Sequence, residues 1–593
     1  MLHFVDLESY PTAALALYQG PVALDTETLG ATRETNIPIY YSWSSKEFGD
    51  GAGPTTTQAG YNFLCAACAT PNSKVFQNAK FDLWALWRIG IEVQGPIEDT
   101  IIMHCLLDEH HLGHHKLKVL SRELLNRPRL DELELKRAQR RVRFNNQLPQ
   151  QVLHEYSKPD AVDTLDLYYL FKPQLEEQNL WNLYRTLIAA ELVYLTMFKR
   201  GVVIDLVRLE KVHAGILVVL EELTIKIWEA FGEKFKISSP KQLGNVLAKH
   251  FPLTIKTPSE DWCTDKDVLE PFRGDPRMQI LLAWKFLDKA RQYLKGYKKR
   301  EVNGRVYSDY RQTTVTGRSR SSDPNLENIP KQRGRISEIE VGDAELAQHC
   351  AEAFRQVRAC ITAAPGAQLL ALDYKQIEYR CFAFYSRSER LIAALERGED
   401  FHSYVCKIVF GEETEQLRYI TKIINYGLIY GMGDELLKTR IKIYNPQPGD
   451  VLAKYERLLP EMRETQHRLR SYATEKGYLI DPFGRRYRYL PDRPHAVVAW
   501  LCQGTAANVK KTAMVKTAKV VVDCRSGLAL EIHDELIFEI FPEDAHRTRE
   551  IHRAMEDFDQ LGRIPILTDV AVGPNLLDMR DVTDEEAIEY LKT

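Results

Sequence analysis

Apolar and polar positions along the 593-residue chain follow three successive regimes. At the start, strand-like and helix-like runs alternate. "GPVALDTETLG" is a short apolar strand that ends in carboxylates and glycine, and "SKVFQNAKFDLWALWRIGIEV" predicts a strand that runs into an amphipathic helix. "PIEDTIIMHCLLDEHHLG" and "HKLKVLSRELL" repeat with a helical period, and the block closes near Leu180 with the helix "DAVDTLDLYYLFKPQLEEQ". From about Leu187 to Lys299 the pattern is mostly helical, as in "AAELVYLTMFKRGVVID" and "RMQILLAWKFLDKARQYLKGYKK". The remainder mixes strands and helices behind a turn-rich entry, "TGRSRSSDPNLENIPKQ". No internal repeat or low-complexity tract interrupts it. Near the end, "LALEIHDELIFEI" reads as a strand pair with His533, Asp534 and Glu535 at its centre. Three ionisable groups in an apolar β segment cost several kcal/mol if buried without partners, so they need a reason.

Length and charge refine this picture. A chain of 68.4 kDa exceeds what one core supports and predicts several domains. Hydrophobic residues at 44% and charged residues at 27% fit a globular protein. No apolar run nears the ~18 residues of a membrane span, and "MLHFVDLESYP" does not read as a signal peptide. Ten scattered cysteines suit a reducing compartment, so a cytoplasmic location without membrane partners is expected. The net charge of −3 hides a local excess: from Lys285 to Arg335, fourteen Lys and Arg stand against five Asp and Glu. Such a stretch can present a positive surface to nucleic acid, or be a solvated helix and loop.

Chemistry first shows in "ALDTETLG". Asp25 and Glu27 are two apart on a strand and point to one face. Alone, such a pair is weak, because exposed strand ends often carry acids. "QNAKFD" adds Asp82 after Asn78, and "YSKPDAVDT" adds Tyr156 and Asp160 one helical turn apart, with Pro159 expected in the first turn of its helix. Four converging carboxylates require divalent cations, and oxygen-only ligation suits Mg²⁺ or Mn²⁺. Two such ions can polarise a phosphodiester and generate hydroxide. In this order and spacing the motifs resemble the 3′–5′ proofreading exonuclease domain of DNA polymerases, over residues 1–185. The resemblance assigns Asp25, Glu27, Asp82 and Asp160 to the metals and Tyr156 to the attacking water.

A second constellation lies further on. "AQLLALDYKQIEYRCFAFYS" delivers Asp373 at the end of a buried strand; by itself that acid could be a helix cap. If Asp534 lies on a strand beside Asp373, the two can share a metal pair, which gives the ionisable cluster its reason. Between them, in "LRYITKIINYGLIYGMG", Arg418, Lys422, Tyr426 and Tyr430 recur every four residues as one helical stripe. The stripe could be a solvated face. It could equally hold a triphosphate with its cations and stack a base on its rings.

"DYKQIEYR", "RYITKIINYGLIYG" and "IHDE" resemble the three polymerase motifs of the family A DNA polymerases, and "SSPKQL", "TGRSRSSDPNLENIP" and "QGTAAN" follow in keeping with that family. The resemblance implies a multidomain α/β and α+β chain: an RNase H-like exonuclease (1–185), a mostly helical thumb (186–310), and a palm (311–593) with fingers inserted at about 385–490, together a right-hand polymerase. It implies two Mg²⁺ per active site, with Mn²⁺ able to substitute, and primer-template DNA and dNTPs as partners. A monomer, with possible replisome accessory proteins, is expected. Asp373, Asp534 and the Tyr374 carbonyl become metal ligands, with Glu535 in support. Arg418, Lys422, Tyr426, Gln376, Glu378 and His402 face the nucleotide; Lys422 is the candidate for protonating pyrophosphate, and Glu378 the steric gate against a 2′-hydroxyl. Arg318, Gln503, Asn325, Asn328, His533 and Tyr430 contact DNA.

Some positions depart from the family pattern. His495 and Ala499 stand where the family usually has Arg and Asn, Lys375 replaces a small residue, and Arg320 adds a charge. The chain starts at the proofreading block, so a phage- or organelle-type replicative enzyme is expected rather than a repair enzyme. "CAAC" (Cys65, Cys68) and "EHHLGHH" (His110, His111, His114, His115) read as a surface loop and a polar helix end rather than zinc sites, because CxxC lacks a second pair nearby. The run "KRAQRRVR" from Lys136 to Arg143 fits single-stranded DNA or a solvated helix face equally. A single-subunit RNA polymerase or a non-catalytic DNA-binding relative is the alternative; Glu378 opposes the first, the full set of metal carboxylates the second.

Overall fold

The computed structural model describes residues 20–593 except 31, 129–130, 258, 330–343 and 443. The end of the basic stretch, Lys331, Arg333 and Arg335, therefore lies outside the described residues.

The first block folds around one mixed sheet. Its strands are β1 (Val22–Thr28), β2 (Pro38–Ser45), β3 (Gly49–Pro54), β4 (Lys74–Phe76) and β5 (Ile97–Asp99), in the order β3-β2-β1-β4-β5. β1, β2 and β3 pair antiparallel, while β4 and β5 run parallel to β1. That order meets the RNase H-like expectation. Helices α1 (Gln58–Ala69), α2 (Ala79–Arg88), α3 (Thr100–Leu107), α4 (Leu117–Leu124), α5 (Asp131–Gln139) and α6 (Gln150–Glu177) surround it. Trp43, Phe63, Val75, Leu86, Leu165 and Phe171 belong to the core between them.

Three expectations change here. Pro159 is not in a first turn: α6 begins nine residues earlier, so the proline sits in the helix interior, where the Glu155 carbonyl loses its donor. The basic run is split, because α5 ends at Gln139 and Arg140–Arg143 follow in a turn. "CAAC" is no surface loop. It lies in α1, where Phe63, Leu64, Ala67 and Cys68 recur at helical spacing on the buried face, and burial pushes the Cys68 thiol up to about 12.

Helices α7 (Trp181–Arg200), α8 (Leu206–Phe231) and α9 (Pro276–Arg300) carry the second regime, with α8 packed on α9 through Ile216, Leu220 and Leu223 against Leu281, Leu287 and Leu294. The last regime centres on an antiparallel sheet of β6 (Gln368–Tyr374), β7 (Gly527–Ile532), β8 (Glu535–Ile540), β9 (Thr568–Gly573) and β10 (Arg580–Asp581), ordered β7-β8-β6-β9-β10. β6 is central and reads apolar from Leu369 to Leu372, as a strand covered on both faces must. Helices α10 (Ile377–Ser386), α11 (Phe401–Phe410), α12 (Glu415–Ile429) and α13 (Ala496–Val520) lie between β6 and β7 in the chain. The two halves are fastened to each other. α7 packs on α13, Tyr194 stacks on Tyr310 at 5.4 Å, and Lys80 of α2 reaches Asp309 at 2.7 Å and Glu191 at 3.5 Å.

Candidate active sites

Strand alternation sends Asp25 and Glu27 to the face that α6 covers, where Asp160 meets them; ligating atoms of all three lie within 4.8 Å of one another. Asp82, at the start of α2, is not one of these three. Its Oδ1 accepts from the Thr26 amide at 2.8 Å and the Thr26 hydroxyl at 2.7 Å, which holds it against β1. Tyr156 is one turn from Asp160 on α6, and Lys118 of α4 sits 4.1 Å above its ring while pairing with Asp160. Sequence reasoning missed both Lys118 and Thr26. Nothing about a lysine at the start of a short amphipathic helix marks it as the cation of an acidic cluster 42 residues away in sequence.

Burial raises Asp25 well above the ordinary carboxylate range, and the charges of Asp160, Asp82 and Glu27 raise it further. The same causes, burial first, lift Glu27 to about 8; burial lifts Asp82 to about 7 against the Thr26 bonds. Asp25 also has a buried oxygen, Oδ2, with no hydrogen-bond partner. Hard oxygen donors that resist ionisation together, one of them orphaned, fit a divalent cation.

The sign of the pH dependence follows. Between the ordinary value and the raised one, these carboxyls bind more protons in the folded protein than in the unfolded chain, so their contribution to stability falls as pH rises from about 4.5 to about 8. In EDTA the melting temperature should drop across this window by roughly 2–4 °C per kcal/mol lost. Added Mg²⁺ or Mn²⁺ should restore it, most strongly at pH 8. Calorimetry at pH 6 and 8 with and without metal checks this; a metal-free melting temperature that rises over the window would contradict the clustered-carboxylate assignment.

In the second sheet, register decides the arrangement. Asp373 lies directly opposite Glu535 of β8 on one side and Asp569 of β9 on the other. Asp534 is not on a strand as expected. It occupies the two-residue turn between β7 and β8, after His533 at a left-handed φ of 54°, and the Tyr374 amide donates to its carbonyl at 3.3 Å. His533, Asp534 and Glu535 are thus partly exposed at a strand end and avoid the predicted burial cost. The buried acids of this hairpin are Glu531 and Glu539; Glu531 is fully enclosed, paired with Lys510 of α13 and receiving the Tyr194 hydroxyl at 2.8 Å. Lys510 also donates to the His533 carbonyl, so it fixes the turn from behind. Breaking such a buried pair costs about 3–5 kcal/mol.

The charge of Asp534 reaches two members of the helical stripe, Tyr426 and Tyr430. Arg418, Lys422 and Tyr426 are on α12, and Tyr430 caps its C-terminus. Tyr426 stacks on Tyr430 at 5.6 Å and meets Tyr379 edge-on at 5.0 Å, with the Lys422 ammonium 5.8 Å from its ring centre. Arg418 binds both oxygens of Asp400 at 2.9 Å, and Gln376 donates to the same carboxylate at 2.7 Å. Glu378 is gripped between Arg318 and Tyr430, and Gln503 approaches the Tyr430 hydroxyl. His402, only 3% exposed, is bonded to Asn425 at 3.1 Å and held neutral by burial, which lowers it to about 3. Its buried ring lies 5.7 Å from that of Tyr426. Asn325 braces its own loop by accepting from the Asn328 amide at 3.1 Å, while Asn328 is exposed. Lys375 pairs with Asp569 at 2.9 Å. His495 caps α13 against Gly431, where a Cβ would come within 2.8 Å of its carbonyl, and Ala499 is buried. Asp400, Lys510, Glu531 and Asp569 were missed; the two lysines inside "AANVKKTAMV" are the one visible signal, since charge in a buried helix implies a partner.

Residues 207–578 match the profile of DNA polymerase family A, and residues 3–176 that of a 3′–5′ exonuclease. The chain is 31% identical over 507 residues to DNA polymerase I of Rhizobium leguminosarum, covering 81% of this chain and 48% of that protein. It is 29% identical over 556 residues to DNA polymerase I of Geobacillus stearothermophilus, covering 89% and 60%. It therefore spans about half to three-fifths of these relatives' length. In fold it resembles the solved POL domain of Pol1 from M. smegmatis in complex with DNA primer-template and dNTP, with a TM-score of 0.79, 24% identity, and coverage of 95% of this chain and 97% of that one.

Proposed function

This chain belongs to the DNA polymerase family A, with a 3′–5′ exonuclease domain, and on that premise we propose that it extends a primer 3′ end with dNTPs on a DNA template and removes misincorporated ends in the exonuclease domain. The observation that carries the reading is the register that sets Asp373 beside the Asp534 turn, whose charge reaches Tyr426 on the helix that also carries Arg418 and Lys422.

We assign Asp373, Asp534 and the Tyr374 carbonyl as the oxygen ligands of a divalent pair, Mg²⁺ by the hardness of the donors, with Mn²⁺ as a substitute. When bound, such a pair activates the primer 3′-hydroxyl and stabilises the pyrophosphate oxygens. The chain's own residues do the rest. Lys422 and Arg418 hold the triphosphate; to do so Arg418 must exchange Asp400 for phosphate, a trade between two bidentate anions. Lys422 is placed to give its proton to the leaving pyrophosphate. Tyr426, buttressed by Tyr379, His402 and Tyr430, carries the sugar and base. Arg318 and Gln503 lie toward the minor groove, where acceptors are nearly sequence-independent. Lys510 positions the turn that presents Asp534. In the exonuclease domain, Asp25, Glu27, Asp160 and Asp82 hold the metals while Tyr156 orients water.

Glu378 tests the choice between deoxy- and ribonucleotides. Its carboxylate is immobilised by Arg318 and Tyr430, so it cannot swing aside for a 2′-hydroxyl. Glu378→Ala should cut discrimination against rNTPs by ~10- to 200-fold, the range for small steric differences in a pocket, and lower dNTP kcat/KM less. Single-nucleotide insertion with paired dNTP and rNTP decides it. Equal discrimination by both proteins removes Glu378 as the gate, and a wild-type preference for rNTPs would make the chain an RNA polymerase.

A further inference from the structure

"EHHLGHH" does not end as a solvated polar stretch. His104, in the last turn of α3, joins His111 and His115 of the following loop, with ligating nitrogens within 4.8 Å of one another. His110 and His114, singled out by the sequence with them, stay outside this group. The ring centres are 4.9, 5.1 and 5.7 Å apart, and the Nδ1 atoms of His104 and His115 approach to 2.8 Å. We propose that His104, His111 and His115 form a binding site for a zinc-class transition-metal ion, separate from both carboxylate centres, which ties down the loop between the exonuclease and polymerase halves.

Four observations carry this. First, Nε2 of His111 lies 2.9 Å from the Glu123 carboxylate, while its Nδ1 is buried with no hydrogen-bond partner. A carboxylate on one ring nitrogen fixes the other as a lone pair, the arrangement that orients metal-bound imidazoles. Second, His114 and His115 both have left-handed backbone, φ 52° and 58°, which non-glycine residues hold only when their surroundings impose it. That turn delivers the His115 ring to the cluster. Third, Gly113 leaves no room for a side chain: a Cβ there would come within 2.6 Å of the His111 ring. Fourth, a tetrahedral ion with Zn–N bonds of about 2.0–2.1 Å spaces its nitrogens ~3.3 Å apart, so the His104–His115 pair need open by only about half an ångström. Three imidazoles favour zinc-class ions over magnesium.

The loop has neighbours that give the site a purpose. Glu109 pairs with Arg488 and accepts from its amide at 2.6 Å, and the His110 ring packs on Trp500 of α13 at 4.7 Å. Gln77 donates to the His115 carbonyl at 2.7 Å. An ion here would secure the contact between halves and the entry to α4, whose Lys118 serves the exonuclease carboxylates.

The test uses full-length protein without a histidine tag, in an Asp25→Ala/Glu27→Ala background that removes the competing carboxylate site. After EDTA dialysis and exposure to equimolar Zn²⁺, one equivalent should be retained, and zinc-edge X-ray absorption should show imidazole scattering near 2.0 Å. Co²⁺ should give the visible bands of a tetrahedral nitrogen site. His111→Ala should abolish retention, and Glu123→Gln should weaken it ~10- to 100-fold. Both variants should keep primer extension, which shows that they fold. Zinc held equally by His111→Ala, absence of imidazole scattering, or sub-stoichiometric zinc in protein that extends primers would each overturn the site.

Discussion

Replacing Asp373 or Asp534 with alanine is expected to lower kcat for primer extension by at least ~10²- to 10³-fold, with DNA affinity changed only a few-fold. The size follows from their placement. Asp373 ends the central strand and Asp534 fills the turn beside it, so neither has a neighbouring oxygen that could move into its place while the backbone register holds. Glu535 and Asp569 face Asp373 across the ladder, but Asp569 is paired with Lys375 and the register holds both backbones in place. Asp373 stands between two carboxylates, Glu535 and Asp569, a like-charge arrangement that destabilises a sheet; Lys375 offsets Asp569, and the buried Arg358 guanidinium interacts with Glu535 and Asp373. Melting temperature should therefore change little while activity collapses. Steady-state extension, a DNA-binding titration and a thermal melt on each variant measure the three quantities. Extension within tenfold of wild type would remove the two-aspartate assignment; a large drop in melting temperature for Asp373→Ala would show that its role is structural.

Sequence pattern reached the candidate metal-site acids because they sit where period changes: Asp25 and Glu27 at the end of an apolar strand, Asp373 where a strand gives way to a helix. A charged residue at such a boundary contradicts burial and draws attention. Partners that come from afar carry no such mark. Lys118 meets Asp160 across 42 residues and Lys510 meets the His533 carbonyl across 23, each set by packing of one element on another. Asp534 was singled out but placed on a strand, because alternation cannot distinguish a two-residue turn from two more strand residues. Pro159 was read as a helix start for the opposite reason, since the weak apolar period of residues 150–158 hid the two turns that precede it. The histidine cluster escaped because His104 lies inside an apolar helix, where a lone histidine reads as core.

The second large effect separates the two centres. Asp25→Ala together with Glu27→Ala should reduce degradation of a single-stranded 3′ end by at least ~10³-fold and leave primer extension within about twofold. Two of the three converging carboxylates are then gone, and Asp160 alone, already paired with Lys118, cannot hold a cation against solvent. Nothing on the polymerase side changes, because the link between halves runs through other groups: Lys80 with Asp309 and Glu191, α7 on α13, and Glu109 with Arg488. Removing Glu27, whose carboxyl is lifted to about 8, also removes much of the proton uptake on folding. The double variant should therefore show a shallower decline in metal-free stability between about pH 4.5 and 8, the remainder coming from Asp82 at about 7, and should lose the stabilisation by Mg²⁺. A gel assay of 3′-end shortening, single-nucleotide extension and metal-free melts at pH 6 and 8 test one assignment by three routes. If extension fell with degradation while the melts matched wild type, the carboxylates would be serving both reactions, and the division of labour between the two sheets would have to be abandoned.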